Sequence, residues 1–441
     1  MGFGNLKSTE SIFYYNQNEK EFISLEKENS SNKLNEFIFK TEDNLVILAG
    51  AGCSIISWKD DKNLCDVKSG KTMKELYIST ICQIGKKGLD DDNLEKIFFP
   101  KDCPGKYDDK NCKECANCYR LEEKMSLADE YIKVNEALGN EQAVEKLKNF
   151  IKQVRQKIKE ECELKYDRNY FKHGEFLSKL LSLRSKKNER LKIFTTNYDT
   201  LFEQAASNEK IILIDGFSYA EPRYFDDSYF DYDFVIRDNV RKLAEPILVD
   251  KVIHLYKLHG SIDWVRDKDR KIKKLGFKVV KNENRKIQLG KDGEEAQFVM
   301  IYPATTKFEQ TFSSPHFELY SRFISELKKK NTVLIVIGFS FGDEHINNAI
   351  INALKLNNSL KMVIVDISIF GEGQNKSSKS DGDESSEVLE NQNKKLDELR
   401  DNYKFIQNFN ETILSRILLV EKSFSEFVDL LYGNYERENE F

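Results

Sequence analysis

The sequence predicts an α/β fold around a mainly parallel sheet. Three observations carry that prediction. Seven apolar runs of four to seven residues recur along the chain, at residues 45–48, 191–194, 211–214, 252–258, 298–302, 333–337 and 362–365. Most are near-continuous in Ile, Val and Leu rather than alternating, as expected of strands covered on both faces. Helical patterns separate several of them, and strand–helix alternation implies a parallel sheet. Finally, the first run leads directly into Gly50-Ala51-Gly52-Cys53-Ser54. Small residues at a strand end let backbone N–H groups approach a phosphate ahead of a helix, which gives the sheet a Rossmann-like character. Two glycines are common at strand-to-helix turns, so the turn alone does not decide between nucleotide binding and simple chain reversal.

Between the first and second runs lies an interruption. Residues 99–169 begin with a Cys-rich loop and continue as a charged helical segment. Val144, Leu147, Ile151, Val154, Ile158 and Cys162 recur at spacings of three or four and form one apolar stripe. The stripe predicts a helical insertion packed on the core. A partner-binding coiled coil would need sustained heptads, which are absent. Residues 371–397 are rich in Ser, Asp, Glu, Gly and Lys and read as a flexible linker or loop. Beyond them, Ile413, Ile417, Leu418, Phe424, Phe427, Val428 and Leu431 predict a C-terminal helical segment over 398–441. The core then comprises 41–98 and 170–370, preceded by an N-terminal segment, 1–40.

Composition narrows the function classes. The chain has 441 residues, and 69 Lys and Arg against 74 Asp and Glu leave a net charge of −5. That balance offers no nucleic-acid-coating surface. A hydrophobic fraction of 40% supplies a sizeable core. No secretory leader or apolar stretch long enough to cross a membrane is visible, so a cytoplasmic protein with reduced thiols is expected.

Three segments follow the ends of apolar runs: Phe194-Thr195-Thr196-Asn197-Tyr198-Asp199, Leu258-His259-Gly260-Ser261 and Gly338-Phe339-Ser340-Phe341-Gly342-Asp343. Ligands bind at strand C-termini in open parallel sheets, so these segments should converge on one crevice. Each polar residue also has a plainer role. Asn197 and Asp199 can cap a following helix, His259 can satisfy a turn, and Asp366 can end its strand. His345 reads as a helix residue, and His173, His254 and His316 receive no role.

Taken in order with Gly50-Ala51-Gly52-x-Ser54, and with Asn93-Leu94-Glu95-Lys96-Ile97-Phe98 between, these motifs resemble the sirtuin-like NAD-binding family over roughly 41–98 and 170–370. The resemblance implies NAD⁺ as substrate. It implies that Gly50, Ala51, Gly52 and Ser54 hold the pyrophosphate, and that Asp199 holds the nicotinamide end. Gly338 and Ser340 would contact the adenosine side and Asp366 its ribose. Asn197 and His259 would be catalytic, Asn197 orienting a nucleophile and His259 acting as general base. Cleaving the nicotinamide–ribose bond builds oxocarbenium character and releases a neutral leaving group. A base with an ordinary pKa of about 6.5 and an amide that positions water suit that chemistry.

Two departures separate the chain from the protein-deacylating members. Ser54 is followed by Ile55-Ile56-Ser57-Trp58 instead of their Pro-Asp-Phe-Arg segment, and no Cys follows Cys162, whereas they carry two zinc-binding Cys pairs after the His-Gly motif. Both favour water as acceptor and hence an NAD⁺ glycohydrolase. A deacylase and a non-catalytic NAD or ADP-ribose sensor are the alternatives. Asp215-Gly216-Phe217-Ser218, Tyr302-Pro303-Ala304-Thr305 and Gly338 to His345 resemble bacterial sirtuin-like antiphage proteins encoded beside a HerA-type ATPase. That resemblance implies NAD⁺ depletion during infection, the ATPase as partner, and a homo-oligomer.

Four of the eight cysteines, Cys103, Cys112, Cys115 and Cys118, form C-x8-C-x2-C-x2-C. Thiolates at such spacing can share a structural zinc ion. The overlapping pattern also suits an iron–sulfur cluster, or reduced thiols without metal. The other four read as small buried hydrophobes.

Overall fold

The computed structural model describes residues 12–18, 21–25, 27–40, 43–56, 67–82, 121–184, 189–237, 247–276, 297–300, 314–367, 369, 406 and 409–432. Its strands are β1 (Ile12–Asn16), β2 (Glu21–Ser24), β3 (Asn44–Ala49), β4 (Leu191–Thr195), β5 (Ile212–Ile214), β6 (Arg223–Tyr224), β7 (Val235–Ile236), β8 (Ile247–Leu248), β9 (Val252–Lys257), β10 (Gly260–Arg266), β11 (Ile272–Lys274), β12 (Gln297–Met300), β13 (Thr332–Ile337), β14 (Lys361–Asp366) and β15 (Ile417–Glu421). Nine strands form the central sheet in the order β2-β1-β15-β14-β13-β3-β4-β9-β5. The stretch from β15 to β5 is parallel throughout, and β1 and β2 close one edge antiparallel. The α/β, Rossmann-like expectation holds.

The continuous apolar runs follow from the two covered faces. Successive side chains of a strand point to opposite sides. Along β3, Val46 and Leu48 pack with Phe194, Tyr256, Leu334 and Val336, beneath Leu319 and Phe323 of helix His316–Leu327 and Ile350 of helix Glu344–Leu356. Leu45, Ile47 and Ala49 pack on the other side with Ile193, Ile253 and Ile335. Helices Lys27–Phe39, His173–Leu183, Leu201–Asn208 and Phe424–Leu430 cover that face through Leu34, Phe176, Phe202 and Phe427. Every residue of β3 is buried.

One expectation is corrected, and two elements are added to the sheets. The 398–441 segment is not wholly helical. Ile417–Glu421 is a strand in parallel register with β14, between the short helix Glu411–Leu414 and helix Phe424–Leu430. Its four apolar residues continue a spacing from Ile413 that mimics a helix, and only the neighbouring strand decides the outcome. Residues 298–300 of the fifth apolar run lie in β12. This strand pairs antiparallel with β10 in a separate four-stranded sheet, β12-β10-β11-β6, outside the parallel core. Within the N-terminal segment, β1 and β2 extend the central sheet.

The insertion is a pair of packed helices, Leu121–Ala137 and Glu141–Cys162. Leu147, Ile151, Val154 and Ile158 of the expected stripe are buried, joined by Phe150. They pack with Leu76 and Tyr77, and with Ile262 and Met300 of the small sheet. Cys103, Cys112, Cys115, Cys118, the 93–98 segment and the 371–397 linker lie outside the described residues.

His173 opens its helix with its ring 4.7 Å from that of Phe202 and 5.1 Å from that of Phe424. Among the described residues neither ring nitrogen has a hydrogen-bond partner, and burial pushes its pKa down to about 4. The folded chain keeps this ring neutral down to that pH, whereas the unfolded chain protonates it below about pH 6.5. Stability from this site is therefore lost as pH falls from about 6.5 to about 4, at about 1.4 kcal/mol per unit. His173→Phe keeps the aromatic packing and should reduce the acid slope of the melting temperature measured from pH 7 to pH 5. His254 and His316, also lowered by burial, leave a residual slope of the same sign. An unchanged slope would assign the acid sensitivity elsewhere.

Candidate functional site

From β3 the chain moves outward to β4, while β13 on its other side begins the opposite half of the sheet. Such a switch point leaves a crevice beyond the strand C-termini. The turns after β3 and β13 interlock there. Gly50 N–H donates to Ile337 O and Gly52 N–H to Gly338 O, both at 2.9 Å. Gly338 has a positive φ of 59°. A Cβ on Gly338 would meet the Gly52 Cα at 2.6 Å, and one on Gly50 would meet the Gly338 carbonyl oxygen at 2.5 Å. The observed role of these glycines is close backbone approach. The N–H groups of Gly50 and Gly52 are already committed to carbonyls, and a four-residue 3-10 turn, Ala51–Ser54, follows in place of a long helix. Ala51, Gly52 and Ser54 line the crevice, and Gly50 does not.

The loop after β4 enters from the other side. Thr195 donates its hydroxyl to Ala49 O at 3.0 Å and accepts from Asn197 N–H at 3.1 Å, so the loop is tied to β3 before Asn197 is reached. Asn197 Nδ2 donates to Gly50 O at 2.9 Å and to Ser54 Oγ at 3.0 Å. Ser54 Oγ donates in turn to Asp199 Oδ2 at 2.7 Å. This amide–hydroxyl–carboxylate chain is buried at all three residues, where each link strengthens the next. Asn197 caps no helix. Asp199 Oδ1 also accepts from Leu201 N–H at 3.0 Å, at the start of helix Leu201–Asn208.

Lys257, at the end of β9, is buried. Its ammonium donates to the Asp199 carbonyl and lies 3.5 Å from Glu203. Beside it, Lys274 bonds Asp215 at 2.7 Å. Neighbouring carboxylates push the Lys274 pKa up despite its burial, so the ammonium is retained. These buried cations hold the floor of the loop. Tyr198 O accepts from Ile262 N–H at 3.1 Å, which stitches the loop to β10.

His259 stands between β9 and β10, where the chain turns through Gly260 with a φ of 78°. His259 Nε2 lies 3.1 Å from Asp343 Oδ2, and both side chains are largely buried. His316 braces the turn from below through Nδ1, 3.0 Å from Leu258 O. Burial, against the Leu258 hydrogen bond, brings the His316 pKa to about 3, so at neutral pH it is an uncharged donor. Sequence reading assigned roles to neither Asp343 nor His316. Asp343 had a visible signal, an Asp directly before a helix, but that signal announces only a cap.

Ser54, Asn197, Asp199, His259, Gly338, Ser340, Asp343 and Asp366 all line one cavity of about 860 Å³. The insertion lines the same cavity through Leu121, Glu161, Cys162 and Leu164, together with the strap Gly70–Leu76. Glu161 pairs with Lys71 at 3.0 Å and Lys157 at 3.3 Å, fastening the strap to the insertion helix. Burial pushes the Cys162 thiol up to about 12, which disfavours the thiolate at neutral pH. Among the described residues no cluster of three or more His, Cys, Asp or Glu is arranged for a metal ion, and no helix is long and apolar enough to cross a membrane.

Residues 191–380 match the SIR2-like domain. The matched stretch begins at β4 and includes Asn197, Asp199, His259, Gly338, Ser340, Asp343 and Asp366, while the glycine turn after β3 precedes it. No curated protein matches the chain. Two solved structures of a Sir2 homologue bound to ADP ribose align with it. One carries a serine-to-alanine substitution and the other a histidine-to-asparagine substitution. They cover 86% of this chain and 99% and 98% of theirs, at 11% and 12% identity and a TM-score of 0.31 each.

Proposed function

We propose that the chain is an NAD⁺ glycohydrolase, producing ADP-ribose and nicotinamide. The carrying observation is the convergence of Asn197, Ser54, Asp199 and His259 on one cavity at the sheet's switch point. Its volume suits a cofactor-sized substrate. With both Asn197 amide hydrogens engaged by Gly50 and Ser54, Oδ1 is the atom left to accept from water or a ribose hydroxyl. Asp199 supplies a negative charge near the developing oxocarbenium ion. As the C1′–N bond breaks, its electron pair goes to the pyridinium ring and neutralises it. Water then bonds to C1′ and loses its proton to His259. Asp366, at the end of β14, is the acceptor for the adenosine ribose.

Water is favoured over an acyl-lysine acceptor because the deacylase motifs named above are absent from the sequence. The motif resemblance further supports a role in antiphage defence through NAD⁺ depletion, with a HerA-type ATPase as partner and a homo-oligomeric assembly.

The test is incubation of the purified chain with NAD⁺, alone and co-expressed with a HerA-type ATPase. Equal amounts of nicotinamide and ADP-ribose are expected from at least one preparation. An acetyl-lysine peptide should yield no O-acetyl-ADP-ribose. NAD⁺ bound but unchanged in both preparations would instead favour the sensor.

A further inference from the structure

We propose that Asp343 is the positioning residue for His259, holding the imidazole with its proton on Nε2 and its lone pair on Nδ1. This rests on the glycohydrolase reading for its catalytic consequence, but the geometry stands apart from it. Oδ2 of Asp343 lies 3.1 Å from His259 Nε2. Oδ1 accepts from the backbone N–H of His345 at 3.1 Å and of Ile346 at 3.4 Å, capping helix Glu344–Leu356. The first turn of that helix is itself anchored where Tyr320 donates its hydroxyl to His345 O at 2.7 Å.

The two oxygens thus do different work. Rotating the carboxylate away from His259 would break the helix cap, so the cap locks the acceptor that faces the imidazole. A ring nitrogen held by a carboxylate carries the proton, and the other nitrogen becomes the base. His316 fixes the backbone of the same turn through Leu258 O, so ring and main chain are held from separate elements. Asp343 also shares the β13–helix loop with Gly338 and Ser340. A nucleotide contacting that loop therefore touches the segment that aims the base.

Asp343→Asn separates this role from a merely structural one. Asn is as good a cap as Asp, so the melting temperature should stay within a few degrees. The amide has one acceptor oxygen in place of two, however. When that oxygen serves the helix, Nδ2–H faces His259 and forces the proton to Nδ1. Nitrogen-15 spectra of the imidazole in the resting, full-length protein should show Nε2–H in the parent and Nδ1–H in the variant. Turnover of NAD⁺ should fall about 100-fold or more, with KM changed less than about threefold because the loss falls on kcat alone. Asp343→Ser, which also caps but offers no charged acceptor, should match Asp343→Asn in turnover. An Nδ1–H tautomer in the parent, or an unchanged tautomer and kcat in Asp343→Asn, would overturn the proposal. If the parent releases no nicotinamide, the tautomer switch still decides the positioning role while the glycohydrolase reading fails by itself.

Discussion

Asn197→Ala is expected to lower NAD⁺ turnover by about 10³-fold while leaving ADP-ribose binding within a few-fold. A preorganised polar group aimed at the reacting centre typically contributes 10²–10³ in kcat, about 3–4 kcal/mol. Asn197 is preorganised in that sense, since its amide is fixed by Gly50 O and Ser54 Oγ before any substrate arrives. The substitution also removes the side-chain donor to the buried Gly50 carbonyl, which keeps its bond from Cys53 N–H, at a cost of about 1 kcal/mol in stability. The melting temperature should fall measurably, so turnover must be read at a temperature where circular dichroism shows the variant folded. Asn197→Asp sharpens the test. Aspartate keeps the volume but cannot donate, so it would oppose the Gly50 carbonyl with a second acceptor and stand near the Asp199 carboxylate. It should be no better than alanine. If either variant retains full activity, Asn197 has no part in the chemistry, and its role is to join the β3 and β4 turns.

The parts of this molecule that could be read from sequence are those whose signal is local. Leu45–Leu48 and Val333–Ile337 read as buried strands because both of their faces are covered, which leaves no polar alternation to confuse the pattern. The site motifs could be read because each directly follows such a strand, where the fold brings strand ends together. What escaped depended on partners distant in sequence. Ile417–Val420 is a four-residue apolar run whose spacing fits either helix or strand, and pairing with β14 settles it. β1 and β2 form a short hairpin that joins the sheet through β15, and its Ile12, Phe13 and Phe22 are buried in the two cores that flank that sheet. The run 298–302 reads as extended chain, and its described part, 298–300, lies in β12, but the direction of its neighbour is invisible in composition. Asp343 illustrates the limit at the site itself. Its sequence context announces a helix cap, which it is, yet the contact with His259 joins residues 84 positions apart.

The interlocked glycines are where a single methyl group should do most damage to the fold of the site. Gly338→Ala places a Cβ 2.6 Å from the Gly52 Cα and 2.7 Å from both the Gly52 carbonyl carbon and the Cys53 nitrogen. All three are main-chain atoms, so no flexible side chain can move aside. The residue must also keep a φ of 59°, which costs a non-glycine residue about 1 kcal/mol. Overpacking against a rigid neighbour adds about 1–3 kcal/mol, for a total destabilisation of about 3 kcal/mol. Relief requires the two turns to part, which stretches the bond from Gly52 N–H to Gly338 O and displaces Ser54 and Ser340 together. ADP-ribose affinity, measured by titration calorimetry on the folded variant, should weaken at least about tenfold. Gly139→Ala is the matched control. Gly139 has a φ of 70° in the turn between the two insertion helices, and nothing lies within 4 Å of its would-be Cβ. It carries the same backbone strain without the collision, so it should lose only about 1 kcal/mol and bind ADP-ribose normally. Equal losses in the two variants would mean that backbone strain alone accounts for the effect, and that the close approach of the β3 and β13 turns is not what shapes the nucleotide crevice.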